Sequence, residues 1–325
     1  MEAADPRIKA NEVLVEVRAC ALNHLDVWAR GGLPGIKIPL PHILGNDIAG
    51  VVREAGELVT WVKAGDEVML QPGVSCGHCI DCLHGQDNLC VEYDILGYRR
   101  DGGYSELVAA PGVNVIPKPE NLSWEEAAAL PLVTVTAWHM LVTRAQVQPG
   151  EEVLIHAAGS GVGSIGIQVA KLRGARVIAT ASSDEKLEKA RELGADETVN
   201  YTREDWPKEV RRLTGKRGVD VVFEHTGAET WHGSIQSLAR SGRLVTCGAT
   251  SGFDAHTDLR QVFYRNLSLL GSFMGSKAEL LDAMRFVASG AIRAVVDRTL
   301  PLTEARRAHE LMEDRAQFGK LVLIP

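Results

Sequence analysis

Four cysteines lie close together in the sequence and could do metal chemistry. They are Cys76, Cys79, Cys82 and Cys90. Thiolates at this spacing can converge on one tetrahedral ion, and Zn²⁺ within four sulfur ligands is the usual occupant. Disulfide bonds are the alternative, but we expect no secretory signal in residues 1–10, and the chain has only two other cysteines, Cys20 and Cys247. The spacing therefore predicts a structural zinc site.

A glycine-rich turn at 157–166 lies between a predicted strand at 152–155 and a predicted helix. Glycines let the backbone approach a pyrophosphate, and the helix N-terminus supplies free N–H groups. A tight turn packed for its own sake is the alternative, but the strand–turn–helix context favours a dinucleotide site. The expected cofactor contacts here are Gly159, Ser160, Gly161, Val162 and Gly163.

The end of the second strand of this region distinguishes between cofactors. An NAD site usually places a carboxylate there to hold the ribose 2′-hydroxyl, but this chain has none at that position. Ser182, Ser183 and Lys186 offer hydroxyl groups and a cation, which suit a 2′-phosphate, and Tyr201 could add a phenolic donor. We therefore expect NADP(H) in preference to NAD(H).

The secondary structure that must position these groups is of two kinds, one in each part of the chain. Val13, Val15 and Val17 alternate as in a half-buried strand, and short β-like runs continue over 44–70, so the first third is predicted to be β-rich. From about residue 150 strands alternate with helices, which predicts a parallel, doubly wound sheet. Such sheets bind ligands beyond the carboxyl ends of their strands. We therefore also expect cofactor contacts from Gly248, Ala249 and Thr250, which follow a predicted strand.

Composition narrows the class of protein. The 325 residues suggest two domains, and 45% hydrophobic with 24% charged residues is ordinary for a soluble globular protein. A net charge of −7 without a compact basic block argues against nucleic-acid binding. The uncharged run at 153–170 is interrupted by glycines, so a nucleotide-binding turn explains it better than a membrane span. We expect a cytoplasmic protein that binds neither nucleic acid nor membrane.

Several motifs together resemble the medium-chain dehydrogenase/reductase superfamily, which includes zinc alcohol dehydrogenases and quinone or enoyl reductases. Besides the cysteine lobe and the glycine-rich turn, they are Gly45-x-Asp47-x-Ala-Gly50, Asp101-Gly-Gly-Tyr-Ser-Glu106, Gly242-Arg-Leu-Val-Thr-Cys-Gly248 and Gly319-Lys-Leu-Val-Leu323. The resemblance implies an α/β fold in which a Rossmann domain is inserted into a GroES-like β-rich domain, with the active site in the cleft between them. It implies a GroES-like catalytic domain at 1–121 plus 292–325, with the zinc lobe at about 73–95, and a Rossmann dinucleotide-binding domain at 122–291. Homodimers or homotetramers are expected.

The resemblance also allows a test for a second, catalytic zinc. Zinc alcohol dehydrogenases hold that ion with a cysteine, the histidine of a Gly-His-Glu motif and a further cysteine. The matching positions here are Asn23, Asn46 and Leu132, so the expected ligands are absent. His24 and Asp47 lie next to two of these positions, but they do not rebuild a set of three ligands.

Without a Lewis acid, polarising an alcohol or a simple ketone is difficult, whereas hydride addition to a conjugated double bond needs only hydrogen-bond donors at the carbonyl oxygen. We therefore predict an NADPH-dependent oxidoreductase that reduces a quinone or an α,β-unsaturated carbonyl. By resemblance, Asn23 and Thr136 are candidate catalytic residues at the nicotinamide end of the site. A zinc-dependent alcohol dehydrogenase and an NADPH-binding protein without significant turnover are the alternatives.

Overall fold

The computed structural model describes residues 3–32 and 38–325. Residues 1, 2 and 33–37, which belong to the predicted first domain, lie outside the described residues. The chain divides into two compact units. The first comprises Met1–Val133, Ser276–Met284 and Ala294–Pro325, and the second comprises Thr134–Gly275 and Arg285–Arg293. The domain boundaries drawn from the sequence, after 121 and before 292, stay predictions.

Strands occur along the whole described chain. They are β1 (Glu12–Ala21), β2 (Asp47–Ala55), β3 (Glu67–Leu70), β4 (Gly73–Val74), β5 (Asp94–Ile95), β6 (Leu107–Pro111), β7 (Val115–Pro117), β8 (Glu152–Ile155), β9 (Arg176–Ala181), β10 (Glu197–Asn200), β11 (Val219–Glu224), β12 (Leu238–Thr246), β13 (Ser268–Gly271), β14 (Val296–Pro301) and β15 (Lys320–Ile324).

Helices also occur in both units. They are α1 (His24–Gly31), α2 (Ile80–Leu83), α3 (Trp124–Ala128), α4 (Pro131–Trp138), α5 (Gly161–Leu172), α6 (Asp184–Glu192), α7 (Trp206–Leu213), α8 (Ala228–Ser237), α9 (Leu259–Arg265), α10 (Lys277–Ala288) and α11 (Ala305–Glu313). Short 3₁₀ turns lie at Asp87–Leu89, Gly112–Asn114 and Leu302–Glu304, and a π-helical turn lies at His139–Arg144.

The first unit is built on a largely antiparallel sheet in the order β14-β15-β1-β2-β3-β7, with β6 also paired to β1. The alternation predicted in β1 is confirmed, because Val13 and Val15 are fully buried and Val17 nearly so. They pack in one core with apolar side chains of β2, β3 and β6. The strand β15 pairs antiparallel with β1 through Cys20 and Ala21, which brings the end of the chain beside its first strand.

The second unit contains one parallel sheet in the order β10-β9-β8-β11-β12-β13. This is the order of the doubly wound dinucleotide-binding fold, with β8 as its first strand. The predicted parallel sheet is therefore confirmed. Its core includes Leu154, Ile178, Val222 and Leu244, all fully buried, because a parallel sheet is covered on both faces.

Local signals in the sequence explain several helix starts. Ser123 caps α3: its Oγ accepts the backbone N–H of Glu126 at 3.2 Å, and the Glu126 carboxylate accepts the N–H of Ser123 at 2.9 Å, which together form a capping box. Ser183 caps α6 in a similar way through the N–H of Lys186. Across the described residues, every helix falls short of the length and apolarity that a membrane crossing needs.

Candidate functional site

The four predicted zinc ligands converge in the first unit. Their sulfur atoms all lie within 4.8 Å of one another, and the Sγ atoms of Cys76 and Cys82 are 3.9 Å apart. A tetrahedral Zn²⁺ with Zn–S bonds of about 2.3 Å sets its sulfurs about 3.8 Å apart, so the donor set fits this ion. All four thiols are free of disulfide bonds, so the disulfide alternative is wrong for them. Among the described residues, no other group of three or more His, Cys, Asp or Glu side chains could hold a metal.

The lobe around this cluster is shaped by tight turns. Cys79 caps α2 and Cys90 follows the 3₁₀ turn Asp87–Leu89, and Gly77 and Gly85 supply left-handed backbone in the connecting turns. Hydrogen bonds, first of all from the backbone N–H of Cys82, lower the pKa of the Cys79 thiol to about 7. Burial raises the pKa of Cys82 to about 12. A bound zinc would hold all four as thiolates.

A second polar cluster, also in the first unit, joins the positions at which the resemblance expects catalytic zinc ligands. We call Asn23, Asn46, Asp47 and Lys320 the Asn–Asp–Lys cluster. The Asn23 amide nitrogen donates to Asn46 Oδ1 at 3.1 Å and to Asp47 Oδ2 at 2.8 Å. The backbone N–H of Leu132 donates to Asp47 Oδ1 at 2.8 Å. The three expected positions therefore do meet, but through hydrogen bonds.

Lys320 completes this cluster and was missed by the sequence reasoning. Its ammonium donates to Asn23 Oδ1 at 2.6 Å and to Asp47 Oδ2 at 2.9 Å. Lys320 is only 3% exposed, and Asn46 and Asp47 are fully buried. The available signal was the lysine that opens the otherwise apolar strand β15, since a lysine is almost never buried unless it is paired.

Both hydrogens of the Asn23 amide are engaged in this arrangement, which bears on its predicted role. One goes to Asn46 and the other to Asp47, so the amide has no hydrogen left for a substrate oxygen. Asn23 thus orders its neighbours, and its catalytic role stays a prediction. His24, one position on, stacks edge-on against Trp28 at 5.7 Å in α1.

Asp26 is bonded to the backbone of Asn23, a member of the Asn–Asp–Lys cluster, and is also fully buried. Its carboxyl group accepts the backbone N–H groups of Asn23 at 2.8 Å and Gly45 at 3.0 Å and the Tyr104 hydroxyl at 3.2 Å. Burial raises the pKa of Asp26 to about 6, against the lowering effect of these hydrogen bonds. Burial likewise raises the pKa of Tyr104. With a pKa of about 6, the Asp26 carboxyl group is expected to change charge slightly below neutral pH.

The predicted nucleotide turn has the expected geometry in the second unit. Ser160 caps α5, with its Oγ accepting the N–H of Gly163 at 2.9 Å. A Cβ on Gly163 would lie 2.5 Å from the carbonyl oxygen of Ala157, and a Cβ on Gly166 would lie 3.2 Å from the Phe223 ring. The glycines therefore provide the tight turn and the close helix–sheet packing that the dinucleotide motif requires. The turn faces the N-terminal end of a twelve-residue helix.

The proposed 2′-phosphate residues lie together at the end of β9. Ser183 Oγ accepts the N–H of Lys186 at 3.3 Å, and Thr202 Oγ1 donates to the carbonyl oxygen of Ser182 at 3.3 Å. Tyr201 is 38% exposed beside them. Arg203, which the sequence reasoning missed, adds a further cation near these residues and pairs with Asp184 at 2.6 Å.

The loops that follow β11 and β12 are joined to each other. Gly227 has a φ of 99°, and a Cβ there would lie 2.7 Å from the carbonyl oxygen of Gly252. Thr250 Oγ1 donates to the carbonyl oxygen of Thr226 at 3.3 Å. A Cβ on Gly248 would approach His225 O at 2.9 Å. The predicted contacts Gly248, Ala249 and Thr250 thus belong to one ordered loop pair at the carboxyl edge of the parallel sheet.

A buried carboxylate that the sequence reasoning missed anchors the first of these two loops, the one after β11. Glu224 is fully buried and accepts hydrogen bonds from the N–H groups of Thr226 and Gly227 and from the hydroxyl groups of Thr230 and Ser234. Burial works against the charged form, but these donors nevertheless hold the pKa of Glu224 below its ordinary value. A signal in the sequence was the acid at the end of a buried strand.

The ring of His156 lies beside this carboxylate, and its hydrogen bonds determine its tautomer. The single hydrogen of Ser234 goes to Glu224 Oε2 at 2.7 Å, so His156 Nε2 must donate to Ser234 Oγ at 2.9 Å. His156 Nδ1 then accepts from Thr180 Oγ1 at 3.2 Å. Burial lowers the pKa of His156, which keeps the ring neutral. His156, which follows β8, is thereby tied to α8 and to β9.

Thr136, the other predicted catalytic residue, lies in α4 within the second unit. It is 6% exposed, and its hydroxyl group has no hydrogen-bond partner within the part of the chain that the structure describes. Unpaired buried hydroxyl groups are uncommon, and the catalytic role of Thr136 stays a prediction.

The sequence of this chain is similar to known families and proteins. Residues 9–120 match the alcohol dehydrogenase GroES-like domain, and residues 161–289 match the zinc-binding dehydrogenase family. The NAD-dependent alcohol dehydrogenase of Saccharolobus solfataricus is 32% identical over all of this chain and 95% of its own length. The chain belongs to the medium-chain dehydrogenase/reductase superfamily. It is therefore an oxidoreductase, and its GroES-like and Rossmann fold class is confirmed.

Relatives within this superfamily have different names. A crystal structure described as NAD-dependent alcohol dehydrogenase has 53% identity and a TM-score of 0.97, covering 100% of this chain and 95% of its own. The crotonyl-CoA reductase of Streptomyces collinus is 32% identical over 98% of this chain and 80% of its own length. The crotonyl-CoA carboxylase/reductase AntE in complex with NADP has 27% identity and a TM-score of 0.91, covering 99% and 88%. Both dehydrogenases and reductases are thus close to this member of the superfamily.

A catalytic zinc does not fit the Asn–Asp–Lys cluster of this superfamily member. Each side-chain oxygen of Asn23, Asn46 and Asp47 already accepts a hydrogen bond from within the cluster or from Leu132. The cluster contains one carboxylate and neither cysteine nor histidine, whereas catalytic zinc takes three protein ligands of these types.

Proposed function

We propose that this oxidoreductase transfers hydride from NADPH to a conjugated acceptor, a quinone or an α,β-unsaturated carbonyl, without a catalytic metal. The observation that supports the proposal is the saturated hydrogen bonding of the Asn–Asp–Lys cluster. Polarising an alcohol oxygen requires a Lewis acid or a well-placed acid–base pair, whereas a conjugated acceptor spreads the developing charge onto an oxygen that hydrogen bonds can stabilise. The name of the crotonyl-CoA reductase relative points the same way.

When bound, the nicotinamide supplies the hydride chemistry, and the protein orders its surroundings. In the second unit, the N-terminus of α5 and the glycine turn before it would bind the pyrophosphate through free N–H groups. The hydroxyl groups of Ser182 and Ser183, with Lys186 and Tyr201, would hold the 2′-phosphate. Glu224 fixes the loop after β11, which is joined to the loop of Gly248, Ala249 and Thr250, and Thr136 offers its unpaired hydroxyl group.

The cysteine cluster completes the proposal as a structural site. Cys76, Cys79, Cys82 and Cys90 would hold one Zn²⁺ per chain that takes no part in hydride transfer, because a closed four-sulfur shell leaves no position for a substrate. Cysteines without disulfide bonds suit a reducing compartment, so we propose a cytoplasmic location. We also propose a homodimer or homotetramer, which light scattering of the purified protein would test.

Turnover tests the reaction class directly. We expect NADPH oxidation with small quinones or enones and little with simple aldehydes, measured by the loss of nicotinamide absorbance. Metal analysis should give one zinc per chain. A second zinc together with alcohol oxidation would instead support the zinc alcohol dehydrogenase alternative, which the names of several relatives favour. Tight NADPH binding with no acceptor reduced would support the binding-protein alternative.

A variant pair tests the choice of cofactor. Lys186→Ala should lower kcat/KM for NADPH by about tenfold, the size of one lost charge-assisted contact, and leave that for NADH unchanged. Lys189→Ala is the matched control, because Lys189 lies one turn further along α6 and pairs with Glu185 at 2.9 Å. Equal losses for both cofactors, or a preference for NADH in the unaltered protein, would contradict the NADPH assignment.

A further inference from the structure

Lys320 and Asp47 form a buried ion pair at the centre of the Asn–Asp–Lys cluster. Their side chains are 4% and 0% exposed, and the ammonium lies 2.9 Å from Asp47 Oδ2. Charged side chains at this depth are retained only when they are paired and hydrogen-bonded. The second acceptor, Asn23 Oδ1 at 2.6 Å, meets this requirement for Lys320.

The Lys320 ammonium lies beside the positions at which the resemblance expects ligands of a catalytic zinc. Asn23 and Asn46 occupy two positions at which the resemblance expects zinc ligands, and the backbone of Leu132, the third, also bonds to Asp47. An ion held by side chains at these positions would lie within a few ångströms of the Lys320 ammonium, since that group already touches the Asn23 side chain. The positive charge at these positions is thus the ammonium group of Lys320, a side chain of the protein itself.

We propose that Lys320 stands in for the metal ion and closes the site to divalent cations. The ammonium compensates the charge of Asp47 and fills the space between Asp47 and Asn23. Its positive charge opposes any dication nearby, and this repulsion is strong because the group is buried, where the effective dielectric constant is well below that of water. The lack of zinc ligands is then one part of a site that is built to work without metal.

Restoring the ligands tests whether Lys320 decides metal binding. Asn23→Cys combined with Asn46→His supplies two of the expected ligand types while Lys320 is retained, and a triple variant adds Lys320→Met. With the four-cysteine site filled, Co²⁺ titration followed by its visible absorption and by metal analysis measures the second site. We expect the triple variant to bind a second Co²⁺ at least about a hundredfold more tightly than the double variant.

A matched control removes a lysine elsewhere in the same unit. Lys118→Met added to the double variant should leave its Co²⁺ affinity unchanged, because Lys118 pairs with Glu67 away from the cluster. Equal Co²⁺ affinity in the double and triple variants, or no second site in either, would overturn the proposal.

A stability measurement covers the case in which the rebuilt variants do not fold. In the natural background, Lys320→Met and Asp47→Asn should each lower the thermal midpoint by about 5 °C or more, because each leaves a buried charge unpaired. A protein that carries both Lys320→Met and Asp47→Asn should recover most of the loss in thermal midpoint, because neither charge is then left unpaired. Additive losses would show that the two residues are not a compensating pair and would overturn the proposal. Turnover is not a readout in either experiment, so failure of the proposed reductase activity and failure of this inference are separable.

Discussion

The first unit contains two clusters that gather polar side chains in different ways. The cysteine cluster brings together four sulfur atoms, and all of them are potential ligands for an ion. The Asn–Asp–Lys cluster mixes acceptors with donors, and its members satisfy one another. Convergence of polar groups is therefore not enough to make a metal site: the atoms that converge must be unpaired acceptors.

The two clusters also differ in how the chain builds them. The four cysteines come from one segment of fifteen residues, 76–90, folded by tight turns. The Asn–Asp–Lys cluster joins α1, β2 and β15, and Lys320 lies 297 positions from Asn23. We expect the first cluster to depend on its ion for stability, whereas the second is assembled by the sheet. We therefore expect metal removal to affect the first cluster alone.

Loss of a cysteine ligand should have the largest effect. Cys90→Ser removes one sulfur and should release the zinc, because structural zinc sites contribute folding free energy directly, on the order of 10 kcal/mol in isolated zinc-binding peptides. We expect at most traces of zinc by metal analysis and rapid proteolysis within the lobe. Cys247→Ser is the control, since Cys247 lies outside the cluster and should leave one zinc in place. A Cys90→Ser protein with a full zinc content would remove the contrast between the two clusters.

The cysteine lobe and the nucleotide turn were predictable because their information is local. Spacing of the cysteines and of Gly161, Gly163 and Gly166 encodes short turns whose geometry follows from the chain itself. Lys320 and Glu224 were not found, because a buried charge makes sense only once its distant partners are in place. The strand β14 was also missed, since its polar sequence is paired in the sheet only through β15.

Protonation, rather than metal, should control the second cluster through Asp26. Its folded pKa of about 6 lies above the ordinary 3.8, so its contribution to stability is fully present below pH 3.8 and is lost as the pH rises through 6. The shift corresponds to about 3 kcal/mol. Asp26→Asn should remove this dependence, so the free energy of unfolding of the natural protein, relative to the variant, should fall by about 2 kcal/mol between about pH 4 and about pH 7.

Denaturant unfolding across that pH range checks the Asp26 prediction. Asp254→Asn alters an exposed carboxylate instead and should leave the profile of the natural protein unchanged. If the curves of the natural protein and Asp26→Asn run parallel over the whole range, Asp26 does not titrate near neutral pH. The second cluster would then have no special sensitivity to protons.

The smallest effect concerns the anchor of the cysteine lobe outside its sulfur atoms. The Lys277 ammonium donates to Asp87 Oδ2 at 2.8 Å and to Ser75 Oγ at 3.1 Å, and its backbone N–H donates to Asp87 Oδ1 at 2.9 Å. The two charged side chains are 20% and 12% exposed, so the pair is better shielded than a surface ion pair. Lys277→Met should therefore cost about 1–2 kcal/mol in the free energy of unfolding.

The zinc content distinguishes an anchor from a ligand site in this last case. Lys277→Met should keep one zinc per chain but release it faster to a chelator, because Asp87 is only three residues from Cys90. Lys171→Met is the matched control: its pair with Asp196 is about one-third exposed on both sides and should be worth less than about 1 kcal/mol. Unchanged chelation kinetics would show that the sulfur atoms and their ion hold the lobe without help from α10. The contrast between a cluster built by an ion and one built by the fold would then be complete.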